Sequence, residues 1–310
     1  MKRFLIKTFL FIFASILALC SLYFLGNKIV QKKADFTLNK NVQYVLMGHS
    51  HPECAFDDSI ISNFKNCSYS GESYFYGFPK IKNILGQNPQ VKTVFLEFTD
   101  NHLEKDVMND GIWGENHMLN FYPTYSPFIE PKDAELLLEK SDRNFLLASS
   151  ISIKEQFLKI LASNYNFQKY GRYLYLVRDK TDSLILHQKK PVATIEINND
   201  SNYNIIYLTR ILNLCSAKGI KTYLVRTPQH KVYRDQKNEQ EFTAARLKYF
   251  PNTEFLDFNN FPLLNTEFGD LEHLNYRGAR KFSTWFNNLI RDGLLDKANK
   301  QEFINSRMTP

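Results

Sequence analysis

Val42-Gln43-Tyr44-Val45-Leu46-Met47-Gly48-His49-Ser50-His51 is the stretch on which the reading of the fold turns. Val42–Met47 is a short apolar run that stops at a glycine, the pattern of a buried strand followed by a turn. Further along, Lys92–Phe98 (KTVFLEF), Lys221–Val225 (KTYLV, closed by Thr227-Pro228) and Glu254–Phe258 read the same way. Helices are predicted between them. Asp57–Phe64 is a short one, and Ser73–Leu85 a second that stops at Gly86. Asn202–Ala217 shows Ile205, Ile206, Leu208, Ile211, Leu212 and Leu214 at helical spacing, with Ser201 to cap its start and Gly219 beyond its end. Tyr276–Ile290 places Ala279, Phe282, Trp285, Phe286, Leu289 and Ile290 on one face. Short apolar strands alternating with helices predict an α/β fold, a three-layer sandwich around a mostly parallel central sheet.

The chain has 310 residues, 44% of them hydrophobic, with 12 Gly, 11 Pro and 4 Cys, which excludes a disordered, collagen-like or disulfide-dense protein. The formal charge of +7 is unevenly placed. Six of the 39 basic residues lie in residues 1–33, which hold no acid; the other 33 face 32 Asp and Glu. The body therefore lacks the electrostatic footprint of a nucleic-acid binder. Thr8–Leu25 runs 18 residues without a charge. At about 1.5 Å per residue, with Phe4–Ile6 and a snorkelling Lys7, it spans a hydrocarbon core of about 30 Å. No A-x-A-like cleavage site precedes Asn27, so residues 1–33 read as an uncleaved single-pass anchor and 34–310 as the body. Lys2, Arg3 and Lys7 ahead of the span favour a cytoplasmic N-terminus and an extracytoplasmic body. Cys54 and Cys67 are open to two readings, a disulfide or small buried hydrophobes.

Between about 104 and 200 the pattern changes. An aromatic, Gly/Pro-containing stretch (Gly111–Pro131) is followed by a helical segment around Arg143–Asn164. A Tyr-rich piece with Tyr170, Tyr173 and Tyr175 comes next. This reads as an insertion beside the sheet, with Trp113, Tyr122 and Tyr125 offering an aromatic cleft lining.

Three places carry possible chemistry. Ser50 follows the first strand, where ligands gather at the C-terminal edge of a parallel sheet, and its own N–H can face an oxyanion. Asp270-Leu271-Glu272-His273-Leu274-Asn275 precedes the last helix; Asp and His three apart on a tight turn can meet, giving a base and its orienting carboxylate. Glu97-Phe98-Thr99-Asp100-Asn101-His102 ends the second predicted strand and puts Asn101 over the same crevice. Arg226, His230 and Lys231 follow the third, where Arg226 and His230, with His51, would meet an anionic substrate.

In this order and context the chain resembles the SGNH/GDSL hydrolase superfamily over roughly residues 42–103 and 202–292. It looks closest to membrane-anchored, extracytoplasmic members that modify cell-envelope polymers, such as alginate acetylation proteins and DltD-like teichoic-acid D-alanylation proteins. The resemblance implies a flavodoxin-like layer arrangement and acyl transfer with no cofactor. It implies Ser50 as nucleophile, His273 as general base and Asp270 as its orienter. Ser50 and Gly71 would give backbone N–H groups, and Asn101 its amide, to the oxyanion hole. It also implies an acyl-ester or polysaccharide substrate and a membrane-bound acyl-donor protein as partner. Two departures stand out: the usual G-D-S is Gly48-His49-Ser50, and the usual G-x-N-D is Phe98-Thr99-Asp100-Asn101. Two other readings stay open. His49 and His51, with His102, Asp270 and His273 in reserve, have the composition of a metal-dependent hydrolase. A catalytically inactive scaffold or binding module would keep the fold with an altered oxyanion hole.

Overall fold

The structure, a computed structural model, describes residues 1–104, 110–187, 202–233 and 236–308. Ser201, parts of the 104–200 insertion and the final residues lie outside the described residues. In chain order the elements are α1 (Lys2–Lys33), β1 (Tyr44–Met47), α2 (Ser50–Ala55), β2 (Phe64–Asn66), α3 (Tyr74–Gln87) and β3 (Thr93–Glu97). Then come α4 (Glu115–Tyr125), α5 (Pro131–Lys140), α6 (Asp142–Leu161), α7 (Thr181–His187), α8 (Tyr203–Ala217) and β4 (Lys221–Arg226). The chain ends with α9 (Gln236–Tyr249), β5 (Phe255–Asp257), α10 (Tyr276–Arg291) and α11 (Lys300–Ser306). They form two compact units: Met1–Phe36 with Asp110–Phe167, and Thr37–Asn109 with Gln168–Pro310. This grouping is drawn differently from the sequence division into an anchor (1–33) and a body (34–310), because 110–167 packs with the N-terminal helix.

The second unit holds a five-stranded sheet of order β2-β1-β3-β4-β5, every pair parallel. That order is the doubly wound, flavodoxin-like one, so the α/β expectation holds. Leu46, Phe95, Tyr223, Val225 and Leu256 face one way and meet Phe282, Phe286 and Leu289 of α10. The opposite face carries Met47, against which Gly77 of α3 packs, and α3 in turn packs on α8. Both faces are covered, and the strands accordingly read as continuous apolar runs rather than alternating ones.

The predicted helix Asp57–Phe64 is not present. Asp57 Oδ1 accepts from the Ser59 N–H (3.0 Å) and hydroxyl (2.6 Å), a local turn that competes with helix formation. Asn63, at φ 57°, then directs the chain into the edge strand β2. The helix starts earlier, at Ser50, with only Gly48 and His49 between it and β1. Elements beyond those predicted include α9 and α11. In α9 the sequence QKNEQEFTAARLKY is polar nearly all round, and Phe242 and Ala245 are its buried anchors. Asn202, rather than Ser201, caps α8, its side chain accepting from the Ile205 N–H at 3.2 Å. All four cysteines are free thiols, three of them buried, which settles Cys54 and Cys67 as small hydrophobes.

In the first unit α1 is long and apolar enough to cross a membrane, and its apolar window is wholly exposed. Tyr23, Gly26, Asn27 and Val30, towards its C-terminal end, pack against α4 and α6. Tyr122 and Tyr125 are fully buried in this unit's interior. They are core residues, which corrects the expectation that they line a cleft.

Candidate active site

Ser50 is the first residue of α2, and its N–H is among the helical donors that lack an i−4 acceptor. The sharp strand-to-helix turn that presents it depends on Gly48. A Cβ there would lie 2.5 Å from Glu97 Oε2 and 2.5 Å from Pro52 Cγ. Any side chain at 48 would thus displace either the strand-end carboxylate or the helix.

The loop before α10 comes to meet it. His273 Nε2 lies 2.8 Å from Ser50 Oγ, and His273 Nδ1 lies 2.9 Å from Asp270 Oδ1. With Nδ1–H donating to the carboxylate, Nε2 is left to accept the serine proton. Asp270 Oδ1 also accepts from the backbone N–H of Glu272 (2.9 Å) and His273 (2.8 Å). The i, i+3 spacing of the two residues is therefore closed by the carboxylate itself. Burial works to raise the Asp270 pKa, but the hydrogen bond and charge of His273 and the two backbone donors outweigh it and hold the group well below the usual carboxylate range. Arg178 pairs with Asp270 Oδ2. The loop is braced by the His230 N–H on Leu271 O (2.9 Å) and by the Lys180 N–H on Gly269 O (3.0 Å).

A second layer lies beneath. Glu97, the last residue of β3, is fully buried; its Oε2 accepts from the His49 N–H at 2.8 Å and lies 3.3 Å from His49 Nδ1. His51 Nδ1 is 3.1 Å from Glu97 Oε1, and His51 Nε2 is 3.4 Å from Glu272 Oε2. The His51 ring thus ties the serine-bearing helix to the histidine-bearing loop. Burial would lower its pKa, but hydrogen bonds to Glu272 and Glu97 raise it to about 10, so His51 is a cation between two anions. Burial would raise Glu97, yet the hydrogen bond and charge of His51 bring it down to about 2. His49 is held neutral by desolvation, well below its ordinary value, and His102 falls to about 4 for the same reason. His102 Nδ1 accepts from the Thr99 N–H at 3.2 Å, and its ring stacks between His49 and Tyr74.

His49, Glu97 and His102 offer three ligand atoms within 4.8 Å of one another. An ion bound at about 2.0–2.2 Å needs donors no more than about 4.4 Å apart, with lone pairs converging on it. The His49 and His102 rings are instead nearly parallel, 17° apart at 4.7 Å between centroids. His51, 3.1 Å from Glu97 Oε1 and 3.4 Å from Glu272 Oε2, is not one of those three donors. The metal-site composition read from His49 and His51 is therefore arranged as a charge network, and a metal would require His49 or His102 to turn.

Residues 137–295 match the model of an uncharacterised protein family, about half of the chain. The chain belongs to that family. The matched segment includes Asp270 and His273 and leaves out Ser50. No curated protein matches the chain.

Among the other sequence-predicted residues, Gly71 occupies the left-handed corner (φ 74°) of the turn Tyr69–Glu72, and Asn101 sits in the 3-10 turn Asp100–His102. Arg226 is buried and already engaged: it pairs with both oxygens of Asp257 and of Glu239. That occupation leaves no free fork for an anionic substrate, which corrects its expected role. His230 is buried too, its Nε2 3.0 Å from Asn265 Oδ1; it shapes the loop. Glu97, Glu272 and Arg178 had no role in the sequence reading. The one available signal was Glu97, the sole acid inside the apolar run KTVFLEF, since buried charges mark special sites.

Proposed function

We propose that the chain is a membrane-anchored serine esterase or O-acyltransferase acting on acyl esters of a cell-envelope glycan or a related molecule, with its catalytic body on the extracytoplasmic side. One observation carries this reading: a single imidazole lies within hydrogen-bond reach of both a helix-terminal serine hydroxyl and a partly buried carboxylate, across 223 residues of sequence. The SGNH/GDSL resemblance and the basic residues ahead of the apolar helix agree with it.

In the proposed reaction Ser50 Oγ adds to the ester carbonyl while its proton passes to His273 Nε2. Asp270 stays ionised and stabilises the imidazolium. The Ser50 N–H, with the Gly71 N–H and the Asn101 amide that the resemblance implies, receives the oxyanion. On collapse the alkoxide leaves with the proton from His273, and acyl-Ser50 remains. Water then regenerates the enzyme as an esterase; a sugar hydroxyl makes it a transferase. A membrane-bound acyl donor fits the second route.

The test is labelling of the full-length protein by a fluorophosphonate. The expected result is stoichiometric label on Ser50, absent in Ser50→Ala. No label on a folded wild-type protein would replace this reading with the scaffold one. Ester release that persists in Ser50→Ala and disappears with chelator would replace it with the metal-dependent one.

A further inference from the structure

The first unit carries an apolar groove of about 870 Å³ that the proposed chemistry does not use. One wall is a single stripe of α1: Ile16, Leu19, Cys20, Tyr23, Asn27 and Gln31. The other is formed by Phe145, Leu146, Ser149 and Ile153 of α6, with Pro127 and Ile129 at its floor. From Ile16 to Gln31 it runs about 23 Å along the helix. We propose that this groove binds one anionic phospholipid of the membrane, its acyl chain between α1 and α6 and its headgroup at Lys28.

Three observations point to that occupant. First, the α1 wall is continuous with the exposed apolar surface of the span, so the groove opens into the medium that surrounds α1. Second, its polarity is graded: Ile16, Leu19 and Phe24 lie towards the span, and Asn27, Lys28 and Gln31 lie at the other end. A phospholipid has the same gradient in the same direction, and a basic residue at headgroup level attracts anionic lipid.

Third, α6 is patterned inside out. Its buried residues are Ala148, Ser152 and Gln156, and its exposed ones include Leu146 (64%), Phe157 (60%) and Leu161 (72%). The inward face approaches α1 closely, Gly26 meeting the Gln156 Cβ at 3.3 Å from where its own Cβ would be. Two hydrogen bonds join polar atoms there: Ser126 Oγ to Ser152 Oγ is 2.5 Å, and Gln156 Nε2 donates to Pro123 O at 2.6 Å. Small residues and internal hydrogen bonds inside, with large apolar side chains outside, suit a helix packed in lipid. In water such a face would be an unfavourable exposed patch. Arg143 and Lys154, also exposed on α6, are long enough to reach phosphates from an apolar bed.

The inference rests on α1 spanning the bilayer, and the experiment separates the two. Full-length protein is reconstituted into nanodiscs of phosphatidylcholine and phosphatidylglycerol that contain a diazirine-tailed phosphatidylglycerol. After photolysis the adducts are mapped by mass spectrometry. Adducts are expected on α1 and also on residues 145–153. Ser149→Trp, which fills the groove, should lower adducts on 145–153 roughly tenfold and leave those on residues 4–15 unchanged. Adducts confined to α1, or unchanged at 145–153 in Ser149→Trp, would overturn the groove while leaving the anchor intact. Adducts absent from α1 as well would remove the anchor and the groove together. Equal labelling by a diazirine-tailed phosphatidylcholine would overturn the anionic headgroup.

Discussion

The sheet-bearing unit encloses charged groups: Glu97 lies fully buried against His49 and His51, and Glu72 and Lys80 form a second enclosed pair at 2.5 Å. In the N-terminal unit the polar atoms that join α1, α4 and α6 are hydroxyls and amides, Tyr23, Tyr122, Ser126, Ser152, Asn27 and Gln156. Its outward side chains include leucines and phenylalanines, while α10 of the sheet-bearing unit buries Phe282 and Phe286. The difference follows from what each set of groups must do. An enclosed ion pair is costly to desolvate and contributes little net stability, so its use beside Ser50 is better explained by what it positions. Neutral hydrogen bonds between helices cost less to enclose and suffice to fix a packing register.

The strongest break in this comparison is expected at the charged site. Asp270→Asn keeps the shape of the loop but removes the charge that orients His273, and should lower turnover of an activated ester by about 10⁴-fold. The folded state is verified by circular dichroism, and turnover close to wild type would mean that the triad geometry is not used.

Removing one member of the enclosed ion network leaves the others unpaired. Glu97→Ala should therefore destabilise the sheet-bearing unit by about 3–5 kcal/mol, read as a shift in urea midpoint. Glu272→Gln, at the partly exposed end, should shift it less and lower the rate of fluorophosphonate labelling.

The pH dependence sharpens the contrast further. His102 titrates at about 4 when folded, below its ordinary 6.5, so the unfolded chain takes up its proton first as pH falls. Stability is therefore full above 6.5 and declines through 4. Glu97, lowered to about 2 from 4.5, adds a decline that begins below 4.5. His51 acts on the other flank: raised to about 10, it stabilises fully below 6.5, and that contribution is lost as pH rises through 10. Unfolding free energies measured from pH 4 to 7 should give a shallower slope for His102→Gln than for wild type, by up to one proton. The smallest effect is expected in the N-terminal unit. Ser152→Ala removes one neutral hydrogen bond and should cost about 0.6–1 kcal/mol in micelles, with ester turnover unchanged.

The candidate site was legible in part because its pieces are local: Asp270 and His273 sit three apart on one turn, and Ser50 follows an apolar run after Gly48 and His49. Their roles were read from the resemblance of the whole order. Arg226 was misread for the opposite reason. Its neutralising partners, Glu239 and Asp257, lie 13 and 31 residues away, and no local pattern announces them. The absent helix at Asp57–Phe64 and the present one at α9 mark the same limit, since turn chemistry overrode an apolar rhythm in one and two buried residues sufficed in the other.

By itself the amino-acid order determined the parallel α/β architecture and the long apolar N-terminal helix, because periodicity and hydropathy are properties of the chain, and it offered the serine, histidine and aspartate as candidates through the resemblance of their order. Only folding decided that His51 is a cation linking Glu97 to Glu272, that Tyr122 and Tyr125 are core, and that α6 turns its small polar face inward. Those outcomes depend on which distant groups share an enclosed volume, where desolvation and pairing set charge, and neither can be computed along a line of residues.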